Sequence, residues 1–418
     1  MEGHARRGTA RSPTKVPRVV VVGGSVGGLT AALKLRDAGC DVLVFERSHA
    51  DLEARGAGIL AHPMTLRYFV EHDVLELDRI SVLSNRHVYL NGDDTIAYEE
   101  RVSYRFTAWN TIYRALRSCL EPDRYRLGET MAGFDQDRTR VLVHFDSGRT
   151  AECDLLVCAD GVASTGRGLL LPGVRPSYAG YVAWRGTVPE LSLSARALEE
   201  LEASIVYHLM PNGHILAYPI PALEGSVAVG HRLINLVWYR NVPAGPAFDQ
   251  LMTDRSGTRH ETSVPPGAVQ DRFVGDIRHA ALDLPAVLRE VVLECDAPFI
   301  QPIVDLEVPR LAFGRVCLIG DAAFAIRPHA AAGTAKACAD AWELAGRMGA
   351  AGGDVLRALR DWEPGQLELG QRLIARVRDA GDRSQFHGSW RPGDPWLRFG
   401  LWEPGDARID SQPLGRPA

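Results

Sequence analysis

Two short stretches and three carboxylates carry the residues best suited to chemistry. Gly23-Gly24-Ser25-Val26-Gly27-Gly28 places glycines where the backbone must turn sharply and where a side chain would hold a ligand away. Gly23 suits the tight turn, and Gly28 lets a following helix pack closely on the preceding strand. Ser25 stands at the middle position of the G-x-G-x-x-G pattern. It is small enough to keep backbone near a phosphate, and its hydroxyl can donate to one. Backbone N–H groups of Gly24, Ser25 and Val26 at the start of the helix face a pyrophosphate, favoured by the helix dipole. Glu46 lies eighteen positions past Gly28, where a carboxylate accepts from ribose hydroxyls. Arg47 beside it can cover the adenine or its ribose. Together these residues read as a site for an adenine dinucleotide.

The other two carboxylates each end a short buried run. Asp160 opens Asp160-Gly161 after Leu155-Leu156-Val157-Cys158, and Asp321 sits in Gly320-Asp321 after Val316-Cys317-Leu318-Ile319. Ligand groups gather at such strand ends in a doubly wound sheet. The second stretch, Pro328-His329-Ala330-Ala331-Ala332-Gly333, has almost no side chains after the histidine. Backbone at Ala331, Ala332 and Gly333 can approach a flat ligand, and the helix that follows aims its N-terminus there. Pro328 fixes the turn. His329 carries the side chain whose ordinary pKa suits proton exchange near neutral pH. Lys336, in the first turn of that helix, is placed against the dipole, which suggests either a use or a stem long enough to reach solvent.

The elements that position these groups follow from periodicity. Val19–Val22 is a β-branched strand, a helix runs from about Leu29 to Ala38, and Asp41–Phe45 is the next strand. Small-residue Arg55-Gly56-Ala57-Gly58-Ile59 is a loop against which a flat ligand can lie. Val82–Tyr98 predicts strands about a turn at Asn91–Asp94, Trp109–Leu120 a helix, and Val141–Cys153 a hairpin. Tyr178–Val188, Ser204–Met210, Ile215–Ile220, Ser226–Arg232 and Asn235–Arg240 predict an antiparallel meander. Its polar-aromatic residues Trp184, Tyr207, His208, Tyr218 and Trp238 are candidates for a pocket, Tyr218 first; alternation alone does not say which face each uses. Gly333–Ala350 and Asp354–Val377 predict helices, the latter one or two.

Composition sets the outer limits. The 418 residues are 46% apolar and 24% charged, with net charge −5, so no nucleic-acid footprint is expected. No stretch reaches the length of a membrane span. Seven scattered cysteines form no C-x-x-C pair, so neither a metal site nor a disulfide framework is indicated, and a reducing cytoplasm fits. Residues 1–16 are polar and expected to form a disordered leader.

The fingerprint, the Asp160-Gly161 segment and the Gly320-Asp321-Ala322-Ala323 segment followed by Pro328 occur in the order found in one family. From about Pro17 to Gly381 the sequence resembles the single-component flavoprotein aromatic hydroxylases, the p-hydroxybenzoate hydroxylase-like class. Tyr178–Gly186, Ala217–Pro221 and Arg327–Gly333 look like the members that act on hydroxypyridines. The resemblance implies an α/β fold: a discontinuous, Rossmann-like FAD-binding domain (17–83, 106–177 and 302–385) with an inserted antiparallel β-sheet substrate domain (84–105 and 178–301) and an extension over 386–418. It implies FAD as cofactor, NAD(P)H as a transient co-substrate, O₂, and a small aromatic substrate. The implied reaction is hydroxylation of an electron-rich ring, a phenol or hydroxypyridine, through a flavin C4a-hydroperoxide. Asp321 is then expected at the ribityl hydroxyls, Asp160 near the pyrophosphate and nicotinamide route, and Arg114 at the FAD phosphates or ribose. Pro328, Trp184, Tyr207 and Tyr218 are expected at the substrate, with His329 or Tyr218 helping to ionise it. Where family members carry more glycine and a histidine after G-D-A-A, this chain has Ala331 and Phe324. Epoxidation, Baeyer–Villiger insertion, decarboxylating hydroxylation and a non-catalytic flavin-fold protein remain open alternatives, and a homodimer is implied by the resemblance alone.

Overall fold

The computed structural model describes residues 16–52 and 57–409. The leader through residue 15, the Arg55-Gly56 part of the small-residue loop, and residues 410–418 lie outside the described residues. Five strands run parallel in a six-stranded sheet, in the order Val316–Leu318, Leu155–Cys158, Arg18–Val22, Asp41–Glu46, Tyr125–Leu127, with Ala312–Phe313 added antiparallel at one edge. Apart from half-buried Leu43 and Leu127, their valines, leucines and cysteines are buried, as strands covered on both faces must be. Helices Val26–Asp37 and Gly333–Ala350 cover one face. They meet closely: a Cβ on Gly27 would lie 2.9 Å from that of Ala337. A three-stranded antiparallel sheet, Met131–Gln136, Val141–Phe145 and Thr150–Cys153, lies beside them.

The larger sheet has eight strands in the order Phe299–Asp305, Ser177–Pro189, Leu233–Asn241, Gly213–Ile220, Ser204–Met210, Val82–Leu90, Ile96–Ala108, Gly58–Leu60. All neighbours are antiparallel except Ser204–Met210 with Val82–Leu90. Period-2 alternation divides its side chains between two cores. One holds Val182, Trp184, Leu236 and Trp238, under helices that include Ala286–Leu293. The other holds Tyr181, Ala183, Tyr207, Leu216, Tyr218 and Tyr239.

Two expectations change. Ser226–Arg232 is a loop rather than a strand, although Val227 and Val229 alternate as a strand would. The buried Glu190 carboxylate takes the Gly230 and Arg232 backbone N–H groups and pairs with the Arg232 guanidinium at 2.7 Å. Those donors are therefore lost to a ladder, and the strand begins at Leu233. Val355–Gln385 is one 31-residue helix, continuous through Pro364, because its buried stripe from Leu359 and Trp362 to Val377 and Ala380 is unbroken. Beyond it the chain packs as irregular structure to residue 409, as its Trp, Pro and Gly content suggests.

Lys336 differs from both readings of it. Its ammonium is buried and binds Asp340, one helical turn on, at 2.7 and 2.8 Å. Asp340 also accepts from the Gly320 N–H at 2.9 Å, so the pair ties helix Gly333–Ala350 to the turn that carries Asp321. Removing one partner of a buried pair leaves an uncompensated charge. Lys336→Met is expected to lower unfolding free energy by about 3–5 kcal/mol, read by urea denaturation; a loss below about 1 kcal/mol would mean that water already serves both groups.

Candidate active site

The fingerprint turn has no room for side chains. Gly23 adopts φ +99°, and a Cβ there would meet the Ala159 carbonyl oxygen at 2.3 Å. A Cβ on Gly28 would lie 1.9 Å from the Gly23 carbonyl oxygen, and one on Gly24 would lie 2.2 Å from the Tyr125 hydroxyl. Ser25 is the N-cap of helix Val26–Asp37, yet its side chain makes no capping bond. Its hydroxyl therefore remains available to a ligand. No acidic residue lies in the first turn of this helix or of Gly333–Ala350, so both N-termini keep their affinity for negative charge.

These elements line one continuous cleft. An outer chamber of 410 Å³ runs past Gly23, Ser25, Glu46, Arg47 and Asp160, and an inner one of 370 Å³ runs past Pro328, Ala331, Ala332 and Gly333 to the larger sheet. Ser25, Trp109, Ala159, Gly161, Gln301 and Asp321 line both. Glu46 is buried and spends one oxygen on the Gly24 N–H at 2.8 Å and the other on Ser48 N–H at 2.9 Å. It thus shapes the turn as well as facing the cleft. Arg47 is exposed at the rim. Asp160 accepts from the Ser164 hydroxyl and the Gly166 N–H, bracing the start of helix Thr165–Leu170, and burial raises its pKa.

Asp321 is different: no donor among the described residues reaches its side chain. Its side chain is exposed to the cleft, yet the protein around it raises its pKa to about 6 by desolvation, opposed by the Lys336 charge. Ala331 takes the left-handed conformation, φ 52°, at the C-terminus of the turn Pro328–Ala330. The carbonyl of Ala330 accepts from Gly400 N–H at 3.1 Å.

The inner chamber is walled by the concave face of the larger sheet. Ladder register sets out its side chains in rows: Gln301, Ala183, Tyr239, His214; then Arg185, Val237, Leu216, Tyr207; then Asn235 beside Tyr218. His329 is buried, with Nε2 2.7 Å from the Tyr181 hydroxyl and Nδ1 without a partner. Burial and the nearby His214 and Arg327 hold its pKa well below the ordinary value. His214 shares a hydrogen bond with Ser384 Oγ through Nδ1, and burial lowers its pKa to about 3. Burial raises Tyr218 to about 12. Trp390 stacks on His214 at 5.0 Å between ring centroids, and Phe399 packs on Tyr104 and Phe106. Both come from the irregular segment after the last helix and close the chamber.

Several expected residues stand elsewhere. Trp184 and Trp238 point through the opposite face of the sheet into the other core, and His208 lies on that face with Nδ1 on the Leu90 carbonyl. They sit one residue out of phase with Arg185, Tyr239 and Tyr207. Arg114 does not line the cleft; its guanidinium donates to the Leu223 carbonyl. Tyr207, Tyr218, Pro328 and His329 do line the inner chamber. Arg185, His214, Tyr239 and Gln301 were not among the expected site residues. With Tyr218 turned inward, alternation along its own strand and register across the sheet select all four.

A family model described as an FAD binding domain matches residues 17–170, and one described as FAD binding domain-like matches 178–305. Over 395 residues the chain is 41% identical to 2,6-dihydroxypyridine 3-monooxygenase of Paenarthrobacter nicotinovorans, covering 93% of this chain and 97% of that protein. It is 28% identical to 3-amino-4-hydroxybenzoate 2-monooxygenase of Streptomyces cremeus, over 88% of each. Among solved structures, 2,6-dihydroxypyridine-3-hydroxylase from Arthrobacter nicotinovorans superposes with TM-score 0.88 at 37% identity, over 97% of this chain and all of that one. HpxO of Klebsiella pneumoniae, complexed with FAD and uric acid, shares the fold with TM-score 0.74 at 21% identity, over 89% and 90%.

The buried histidines give a pH signature. A histidine held neutral in the fold but free to protonate when unfolded adds stability above its unfolded pKa, and that stability is lost as pH falls toward its folded pKa. For His214, from about 6.5 unfolded to about 3 folded, the loss at pH 5 is about 2 kcal/mol. Urea midpoints at pH 7 and pH 5 should show that fall in the wild type, reduced by this amount in His214→Gln. An equal fall in both would show that His214 is already solvated.

Proposed function

The chain belongs to the FAD-binding monooxygenases, and on that premise we propose that its substrate is a small dihydroxylated nitrogen heterocycle, 2,6-dihydroxypyridine or a near analogue. It is an FAD-dependent enzyme that consumes NAD(P)H and O₂ and hydroxylates an electron-rich aromatic ring. The cleft suits FAD on its own geometry: backbone without room for a Cβ at Gly23, Gly24 and Gly28, and an Asp321 with no partner among the described residues, beside the side-chain-poor turn Ala331–Gly333. In this reading Gly23–Gly28 and Ser25 hold the pyrophosphate, Glu46 and Arg47 border the adenosine, Asp160 braces the middle of the cleft, and Asp321 accepts from the ribityl hydroxyls. When bound, FAD supplies the hydride acceptor and the activation of O₂.

One observation carries the substrate class. Among the described residues the inner chamber presents tyrosines, neutral histidines and one guanidinium, Arg185, whose Nη1 and Nη2 each spend one N–H on a neutral acceptor and keep a second. Hydroxyl, imidazole and guanidinium groups set together suit a flat ring with hydroxyl groups and a ring nitrogen. His329 serves as a positioning residue. Arg327 lies against Tyr181 and favours its oxygen as acceptor, so the hydroxyl donates to His329 Nε2 and Nδ1 carries the proton. That Nδ1–H is a donor for a ring oxygen or nitrogen, rather than a proton acceptor as its ordinary pKa suggests.

Among the described residues no helix is long and apolar enough to cross a membrane, and seven free cysteines, six of them buried, support a reducing cytoplasm as the location. A homodimer is part of the same proposal and rests on the resemblance alone.

Substrate-stimulated NAD(P)H oxidation, scored with hydroxylated product, tests the assignment across dihydroxypyridines, phenols and hydroxybenzoates. The dihydroxypyridine should give the highest kcat/KM, and a hydroxybenzoate exceeding it would overturn the reading. Asp321→Asn tests the cofactor placement. Above pH 6 the wild-type carboxylate is ionised and a stronger acceptor, so the variant should bind FAD at least roughly tenfold more weakly at pH 8. Below pH 6 the gap should close, because the wild-type group is then neutral too. Equal affinity at pH 8, by flavin fluorescence quenching, would remove Asp321 from the ribityl site.

A further inference from the structure

Hydroxylation of a phenol-like ring is easier when the ring hydroxyl has lost its proton, because the oxyanion pushes electron density onto the neighbouring carbon. The residues first expected to bring this about are poorly placed for it. Burial keeps His329 neutral, and it keeps the Tyr218 hydroxyl protonated through the neutral range. Among the described residues the chamber wall holds one cation, Arg185.

Arg185 occupies the middle row of the concave face, between the row of Tyr239 and the row of Tyr218. Its Nη1 donates to Gln301 Oε1 at 3.0 Å and its Nη2 to the Gly58 carbonyl at 3.1 Å, while Nε is buried without a partner. Both anchors are neutral, and no carboxylate among the described residues lies within ion-pair distance. Its charge is therefore fixed in place, and no described carboxylate pairs with it. Asn235 holds the Gly58 N–H at 2.7 Å, so the strand that receives Arg185 is itself pinned across the concave face. The field of this charge is already visible in the chamber: it opposes burial at both Tyr218 and Tyr239, favouring their anionic forms.

We propose that Arg185 is a catalytic residue whose anchored guanidinium contacts the ring hydroxyl of the substrate and holds it as the oxyanion. This rests on the reading that a hydroxylated ring occupies the inner chamber, and it applies to a phenol as well as to a dihydroxypyridine. In the step the O–H bond breaks heterolytically, both electrons stay on the ring oxygen, and the proton passes to water, which reaches the cleft at exposed Asp321 and Pro328. An opposite charge at contact distance lowers such a pKa by one to three units, roughly. The other titratable groups facing the ring are Tyr207, Tyr218, Tyr239, His214, His329 and Asp321. All but Asp321 keep one protonation state between pH 5 and pH 9, and Asp321 changes near pH 6. A readout on the ring itself therefore separates the two.

The test is an ultraviolet titration of the bound ring in anaerobic holoenzyme without NAD(P)H, from pH 5 to pH 9, with 2,6-dihydroxypyridine and with resorcinol. In the wild type each ring that binds should ionise at least about one pH unit below its value in water. Arg185→Gln should return it to the free value or above, and Arg185→Lys, which keeps the charge but not the fork, should keep part of the shift. Flavin content, by absorbance, checks that both variants are loaded; if the glutamine variant fails to fold, the lysine variant against wild type still reads the loss of the fixed geometry. Unchanged ionisation in loaded Arg185→Gln overturns the proposal, as does a wild-type bound ring that ionises as it does in water. Failure of 2,6-dihydroxypyridine alone to bind defeats the substrate reading and leaves the resorcinol titration to decide Arg185. Failure of both rings to bind overturns both.

Discussion

An ammonium and a carboxylate with no access to water, Lys336 and Asp340, hold the centre of this protein. Their pairing is close and doubly hydrogen bonded. The carboxylate has a second duty at Gly320 N–H, the Asp340 carbonyl accepts from the Trp362 indole, and the ammonium faces the Phe324 ring at 4.8 Å. A parallel strand, a long helix and the helix behind it are thereby fixed to one another within a single turn of chain. Such a pair contributes little net stability compared with apolar packing. Its value here is positional, because the turn it fixes is the one that presents Asp321 to the cleft. The charge has a long reach as well: the Lys336 ammonium is the one influence that offsets desolvation at Asp321.

The two sheets then divide the labour by their hydrogen-bond pattern. The parallel sheet gathers strand ends, turns and helix N-termini at one edge, so its contribution to the site is mostly backbone. The antiparallel sheet contributes side chains, two residues apart along each strand and in register across strands. The seam between them carries Gln301 and Asp321, which belong to both chambers. Arg185 spans the concave face of the antiparallel sheet itself, from Gln301 on the neighbouring strand to the Gly58 carbonyl on the far edge strand. Whatever moves the strand at Gly58 therefore moves the one cation that the described residues place on the inner wall.

Much of this could be read in the sequence, and the division between legible and illegible is physical. The fingerprint could be read because it is local: a glycine that cannot tolerate a Cβ is a property of a few adjacent residues, and Gly23 and Gly28 meet each other. Ser204–Met210 and Gly333–Ala350 could be read from period alone. Phase could not. Trp184 and Arg185 are neighbours, and a slip of one residue exchanges the core for the chamber; nothing local decides between a tryptophan and an arginine for the inward place. Lys336 and Asp340 have the spacing of an ordinary exposed helix pair, and only the packing of Phe324 and Trp362 around them shows that they are buried. Ser226–Arg232 has the alternation of a strand, but a carboxylate distant in sequence, Glu190, claims its donors. Arg114 finds its partner, the Leu223 carbonyl, more than a hundred residues away.

The irregular segment after the last helix serves one chamber and not the other. Trp390 and Phe399 follow every other residue of the chamber wall in the chain, and Gly400 bonds the Ala330 carbonyl beside the turn at Pro328. Asp406 gathers the Leu401, Trp402 and Glu403 N–H groups and meets His62, which locks the segment onto the far end of the larger sheet. The outer chamber takes no lining residue from this segment, whereas the inner one takes Trp390 and Phe399. A change past the last helix therefore alters the cover of the inner chamber and leaves the fingerprint turn, Glu46 and Asp160 untouched.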